Sequence, residues 1–99
     1  MKAVWNGKTI AETNETIEIE GNQYFPPDSV DKDLLRVSEG YHTTCPWKGQ
    51  ASYYDIVIDG ETNEKGAWFY PKPNQSAIDR VGENFTNYVA FWNGVSVVQ

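Results

Sequence analysis

The stretch from Gly49 to Asp59 alternates with the two-residue period of a β-strand. Tyr54, Ile56 and Ile58 fall on one face, with Ala51, Tyr53, Asp55 and Val57 on the other. Related segments recur along the chain between turn-forming residues, which points to antiparallel sheet as the dominant structure. Ala3-Val4-Trp5, Asn6-Gly7 and Lys8-Thr9-Ile10-Ala11 read as a hairpin, because Asn-Gly accepts the positive φ angles of a type I′ turn. In Thr16–Glu20, Ile17 and Ile19 share a face opposite Glu18 and Glu20. Gly21-Asn22 turns the chain, and Gln23-Tyr24-Phe25 runs extended to Pro26-Pro27.

Two segments break this period. Val30, Leu34, Leu35 and Val37 recur at helical spacing behind an Asp28 or Ser29 cap, predicting a short helix over Ser29–Val37. A second helix is expected from Ser76 to Gly82, with Ala77, Ile78 and Val81 facing inward. Between them, Tyr41–Thr44 is extended, Asp59–Glu64 reads as a polar hairpin loop, and Gly66–Tyr70 is a strand stopped by Pro71 and Pro73. Tyr88–Trp92, Asn93-Gly94 and Val95–Val98 read as a closing hairpin. The expected class is α+β and mainly antiparallel β, with two short helices. A small, partly closed β-barrel-like sheet is the preferred arrangement, since closure removes exposed edges.

With 99 residues, the chain suits one domain, 1–99, and one hydrophobic core. The single cysteine, Cys45, rules out an internal disulfide and favours a reducing, cytoplasmic setting. The opening MKAVWNGKTIAET contains no apolar run of signal-peptide length, and no stretch is long enough for a bilayer-spanning helix. Net charge is −6, with 14 acidic against 8 basic residues, and the basic residues are scattered. Nucleic acid and membrane are therefore not expected partners. A small anionic ligand is compatible, because one lysine outweighs a distant net charge at short range.

Thr44-Cys45-Pro46-Trp47-Lys48-Gly49 concentrates the chemistry. Pro46 stiffens the chain, Gly49 permits a bend or a close approach, and between them stand a thiol, an indole and an ammonium. A rigid turn presenting such groups suits a ligand-facing loop.

Around this turn lie further blocks in a fixed order: Tyr24-Phe25-Pro26, then Val30 with Leu34-Leu35. Ala51 and Tyr53 follow the turn, then Ala67-Trp68 with Tyr70 and Pro73, and finally Val89-Ala90-Phe91-Trp92. In this arrangement the chain resembles the family known as domain of unknown function 427 over nearly its whole length. The block Cys-Pro-aromatic-Lys-Gly-x-Ala-x-Tyr is its most specific part. The resemblance implies a compact β-rich domain of mainly bacterial distribution, with Pro46, Gly49, Ala51 and Trp68 as signature residues. Asn84-Phe85-Thr86-Asn87 departs from the family pattern, which places an Ile and a basic or Gly residue there. Some relatives carry a nucleotidyltransferase-like label. That chemistry usually uses carboxylates on a divalent metal, often after a Gly-Ser turn, and this chain has no Gly-Ser-x-Asp-x-Asp run.

Cys45 and Lys48 are the catalytic candidates. The thiol could be activated by Lys48 or by His42, the only histidine, although a free cysteine is often just a small buried hydrophobe. Trp47, Lys48, Tyr53 and Tyr70 are the ligand-binding candidates, against the plainer readings of solvated loop and packed core. Glu18, Glu20 and Asp55 offer a general base without a spacing that compels one. Arg36 and Arg80 are possible anion contacts. No metal or cofactor is called for. The leading reading is a small-molecule-binding domain with its site near Cys45–Gly49, the question of catalysis left open. The alternatives are a non-catalytic interaction or homodimer module and a nucleotidyltransferase-like enzyme. Either a monomer or a homodimer suits these readings.

Overall fold

The computed structural model describes residues 1–99. Strands β1 (Lys2–Trp5) and β2 (Lys8–Glu12) form the expected first hairpin. Asn6 and Gly7 both have left-handed φ, 52° and 75°, as a type I′ turn requires. Strands β3 (Ile17–Ile19) and β4 (Asn22–Tyr24) form a second hairpin, whose turn is Glu20-Gly21 rather than Gly21-Asn22. Three longer strands follow: β5 (Leu35–Cys45), β6 (Gly49–Ile58) and β7 (Glu61–Phe69). Helix α1 (Gln75–Val81) then precedes β8 (Val89–Phe91) and β9 (Ser96–Val98).

All strand pairs are antiparallel, but they do not close into a barrel. They form three open sheets, ordered β2-β1-β9, β3-β4 and β5-β6-β7-β8. Part of the exposed edge is covered in another way. Phe25 and Val89 exchange backbone hydrogen bonds of 2.8 and 2.9 Å, tying the end of β4 to the edge strand β8. The Asp31 N–H donates to the Ile10 carbonyl on β2 at 2.8 Å. Such bridges satisfy some of the edge groups that closure would otherwise pair.

The predicted helix over Ser29–Val37 is absent. Two single 3₁₀ turns, Pro27–Ser29 and Lys32–Leu34, replace it, and β5 begins at Leu35. Asp31 caps the second turn by accepting from the Asp33 N–H. Beyond it Leu35, Arg36 and Val37 pair with Ile56, Asp55 and Tyr54 of β6. A helix this short is marginal without tertiary support, so strand pairing prevails. The second helix forms as expected, closed by Gly82 in the left-handed region at φ 87°.

Asp59–Glu64 is not one polar loop. Only Asp59-Gly60 turns, and β7 already pairs with β6 from Glu61. The closing hairpin is also corrected. Its turn forms, with the Val95 N–H bonded to the Trp92 carbonyl at 3.1 Å. Its arms part company, however: β8 joins β7 and β9 joins β1.

The four-stranded sheet is therefore covered on both faces. One face carries Ile56, Ile58, Ala67, Phe69, Val89 and Phe91 into a core shared with Ala3 and Ile10 of the first hairpin. The other carries Ala51, Tyr70 and Ala90 into a second cluster with Ile17, Ile19 and Phe85. The second cluster adjoins the ring-rich recess described next.

Candidate functional site

The segment Cys45–Gly49 is the β5–β6 turn, with Cys45 and Gly49 paired across its base. Gly49 has φ +114°, a region that L-residues rarely adopt. A Cβ there would lie 3.4 Å from the Lys72 carbonyl and 3.5 Å from the Asn74 N–H nitrogen. The Asn74 N–H donates to the Lys48 carbonyl at 2.9 Å, and its Nδ2 donates to the Trp47 carbonyl at 3.1 Å. Gly49 therefore lets the turn dock on the Pro71–Asn74 segment, which holds the backbone of Lys48 in place.

From that anchor the Lys48 side chain folds inward and is only 6% exposed. Its ammonium donates to Glu20 Oε1 in the β3–β4 turn. It also lies 5.5 Å from the Tyr70 ring centroid and 5.1 Å from that of Trp47. Cation–π contact and the ion pair together offset the loss of water around a buried charge. Glu20 is about half exposed, and Lys48's hydrogen bond holds its carboxyl below its ordinary value of 4.5, with Trp47 and Arg80 acting in the same direction. The Arg80 guanidinium lies 4.4 Å from the Trp47 centroid, on helix α1.

Glu20 is itself informative. It has φ 54° beside Gly21 at φ 81°, a turn geometry that favours Asn-Gly. A glutamate held there carries backbone strain of about 1–2 kcal/mol, which its contact with Lys48 helps to offset.

Above Lys48 opens a recess of about 200 Å³ lined by Asn22, Tyr24, Tyr53, Trp68, Tyr70 and Trp92. Tyr53 and Trp68 are register partners across β6 and β7, so strand alternation brings their rings to one face with Tyr70. Trp68 Nε1 donates to the Tyr24 hydroxyl at 3.1 Å, and Trp68 meets Tyr24 and Trp92 edge-on at 6.2 and 6.0 Å. Tyr53 shares a hydrogen bond of 2.9 Å with Thr43. Burial raises the pKa of Tyr24 and Tyr70, so both stay protonated hydroxyl donors at neutral pH. A wider recess, about 410 Å³, lies between Met1, Gln23, Phe91 and Val97, but no charged side chain lines it.

The structure thus assembles Lys48, Tyr53, Trp68 and Tyr70 around one recess. Trp47 lies instead beside Lys48 and Arg80, outside the lining. Pro46 is exposed at the turn, and Ala51 is buried in the second cluster. Cys45 is half-buried against that cluster and does not line the recess. Its candidate activators are engaged elsewhere: His42 Nδ1 bonds Ser52 Oγ at 3.1 Å, and Lys48 pairs with Glu20. Of the carboxylates, Asp55 accepts from the Lys65 N–H at 2.9 Å where β7 bulges, and Glu18 accepts from Gln23. No three His, Cys, Asp or Glu side chains converge closely enough to hold a metal ion. Arg36 is exposed on β5.

Sequence reasoning missed Asn22, Tyr24 and Trp92 as recess residues, and Glu20 as the partner of Lys48. The first three come from β4 and from the end of β8, segments whose neighbours no local pattern reveals. For Glu20 a signal existed, namely a glutamate at a turn position that favours Asn.

The model of a family described as Domain of unknown function (DUF427) matches residues 1–98. No curated protein matches the chain.

Proposed function

We propose that this chain, which belongs to the DUF427 family, binds a small molecule in the aromatic recess over Lys48. The observation that supports this reading is the position of one lysine, Lys48, 6% exposed yet lining an open recess. Burying a cation costs several kcal/mol unless it is well paired, and an apolar side chain would fill the same space more simply. A lysine kept there supplies directed hydrogen-bond donors among apolar walls, the usual make-up of a small-ligand site. Aromatic rings provide the contact area, and the Tyr24 and Tyr70 hydroxyls add polar selectivity.

Cys45 chemistry finds less support, because the thiol is outside the recess lining and neither His42 nor Lys48 is bonded to it. An interaction module would rest on the exposed Val37, Tyr41, Trp92 and Val98, which are spread over two strands and a turn.

The test is a metabolite panel followed by the indole N–H resonances of Trp68 and Trp92. A ligand of this site shifts both in the wild type and loses its effect in Lys48→Met. A ligand that shifts them equally in Lys48→Met would remove the lysine from the site. No shift with any compound would count against the site itself.

A further inference from the structure

The recess has a size, a set of donors and an internal anion, and together these define a ligand class. Its volume of about 200 Å³ slightly exceeds the roughly 150 Å³ of a cavity that accepts benzene. One ring with one substituent fits within it. The walls favour a flat ring, since Tyr53, Trp68 and Trp92 are among the residues that line the recess.

Donors predominate on the polar side. An ammonium carries three N–H donors, and Lys48 makes one side-chain hydrogen bond, to Glu20. The Tyr24 hydroxyl accepts from Trp68, which leaves its own proton available. Burial keeps the Tyr24 and Tyr70 protons in place. Lys48 is the one charged side chain lining the recess.

The anion that holds the Lys48 ammonium is the chain's own Glu20, which does not itself line the recess. Glu20 reaches Lys48 from a turn in which its backbone is left-handed, and its side chain is 53% exposed. Arg80 is close enough to lower the Glu20 pKa but lies over Trp47, outside the recess lining.

Building on the ligand-binding reading above, we infer that the recess takes a planar, single-ring carboxylate, whose oxygens replace those of Glu20 at the Lys48 ammonium. Glu20 is then a placeholder that keeps the buried lysine paired while the recess is empty. It also sets a threshold, because a neutral ring cannot displace it.

Benzoate and its neutral isostere benzamide, titrated into the wild type and Glu20→Gln, test this by the Trp68 and Trp92 indole resonances. Benzoate is expected to bind Glu20→Gln about tenfold more tightly than the wild type, and to weaken with added salt. Benzamide is expected to bind both proteins equally and more weakly than benzoate binds Glu20→Gln. Equal benzoate affinity in the two proteins, or benzamide binding as tightly as benzoate, overturns the inference and leaves the recess as a ligand site. Failure of benzoate to bind Glu20→Gln at millimolar concentration overturns it as well. If no panel compound moves either indole, the ligand-binding reading fails with it. Gln at position 20 keeps an oxygen acceptor for the Lys48 ammonium, and a cooperative melting transition of Glu20→Gln shows that it is folded, so the comparison stands without Lys48→Met.

Discussion

Lys48 in the β5–β6 turn and Glu20 in the β3–β4 turn are 28 residues apart, and their ion pair clasps two separate sheets together. The lysine is buried and the glutamate half exposed. The pair therefore has a protected end and a yielding end. The pair is a structural tie, and its buried end, Lys48, also lines the recess.

The tie should be visible in the acid limb of stability. Lys48 depresses the Glu20 pKa in the folded state, so the contribution is fully present above the ordinary value of 4.5 and is lost as pH falls through the lower folded value. The melting temperature of Glu20→Gln should lie below that of the wild type at pH 7, with the gap closing below pH 4.5. The exposure of Glu20 keeps the difference to about 1 kcal/mol or less, and added salt should shrink it. A gap independent of pH would show that the pair does not carry it.

The alkaline limb tests the recess walls. Burial raises the Tyr70 and Tyr24 hydroxyls above their ordinary value of 10, so the unfolded chain releases these protons first. Stability is then whole below pH 10 and declines above it. Absorbance titration of the native protein should show three tyrosines resisting ionisation, because burial raises Tyr54 as well. Tyr70→Phe should remove one of them and flatten the decline.

Gly49→Ala should destabilise the protein by about 1–3 kcal/mol, through a backbone angle that alanine does not readily adopt. Its φ is +114°, and a new methyl would come into van der Waals contact with the Lys72 carbonyl at 3.4 Å. Gly60→Ala is the control, since Gly60 has φ +79° and open space around its missing side chain. It should cost less in urea denaturation, and equal losses would mean that the approach of Lys72–Asn74 does not matter.

Cys45 should react slowly. It is half-buried and packs against the second cluster, with no polar partner arranged on its sulfur by His42 or Lys48. Alkylation of the native protein by iodoacetamide should be at least tenfold slower than in urea. Faster native labelling would restore the thiol as a candidate nucleophile.

The legible parts of the sequence were those governed by neighbours. Residue alternation in Gly49–Asp59 placed Tyr53 on the face opposite Ile56 and Ile58, and Trp68 with Tyr70 on one face of the next strand. Asn6-Gly7 specified a turn because its φ angles are a local matter, and Gly82 closed α1 for the same reason. Cys45–Gly49 stood out as a rigid turn bearing unusual groups, and it is one.

Partnership was beyond reach, because it is settled by segments far apart along the chain. Leu35–Val37 has helical spacing but pairs with Tyr54–Ile56, whose ladder stabilises it more than one isolated helical turn would. Strands β8 and β9 flank an Asn-Gly turn and yet join different sheets, since each finds its edge elsewhere. The site follows the same division. Sequence alone marked Lys48, Tyr53 and Tyr70 as residues to watch, and Trp68 as part of the signature. Only the tertiary structure brought Tyr24, Trp92 and Glu20 to them. A lysine's neighbours decide whether it is a solvated loop residue or a buried, paired cation, and those of Lys48 come from segments far apart along the chain.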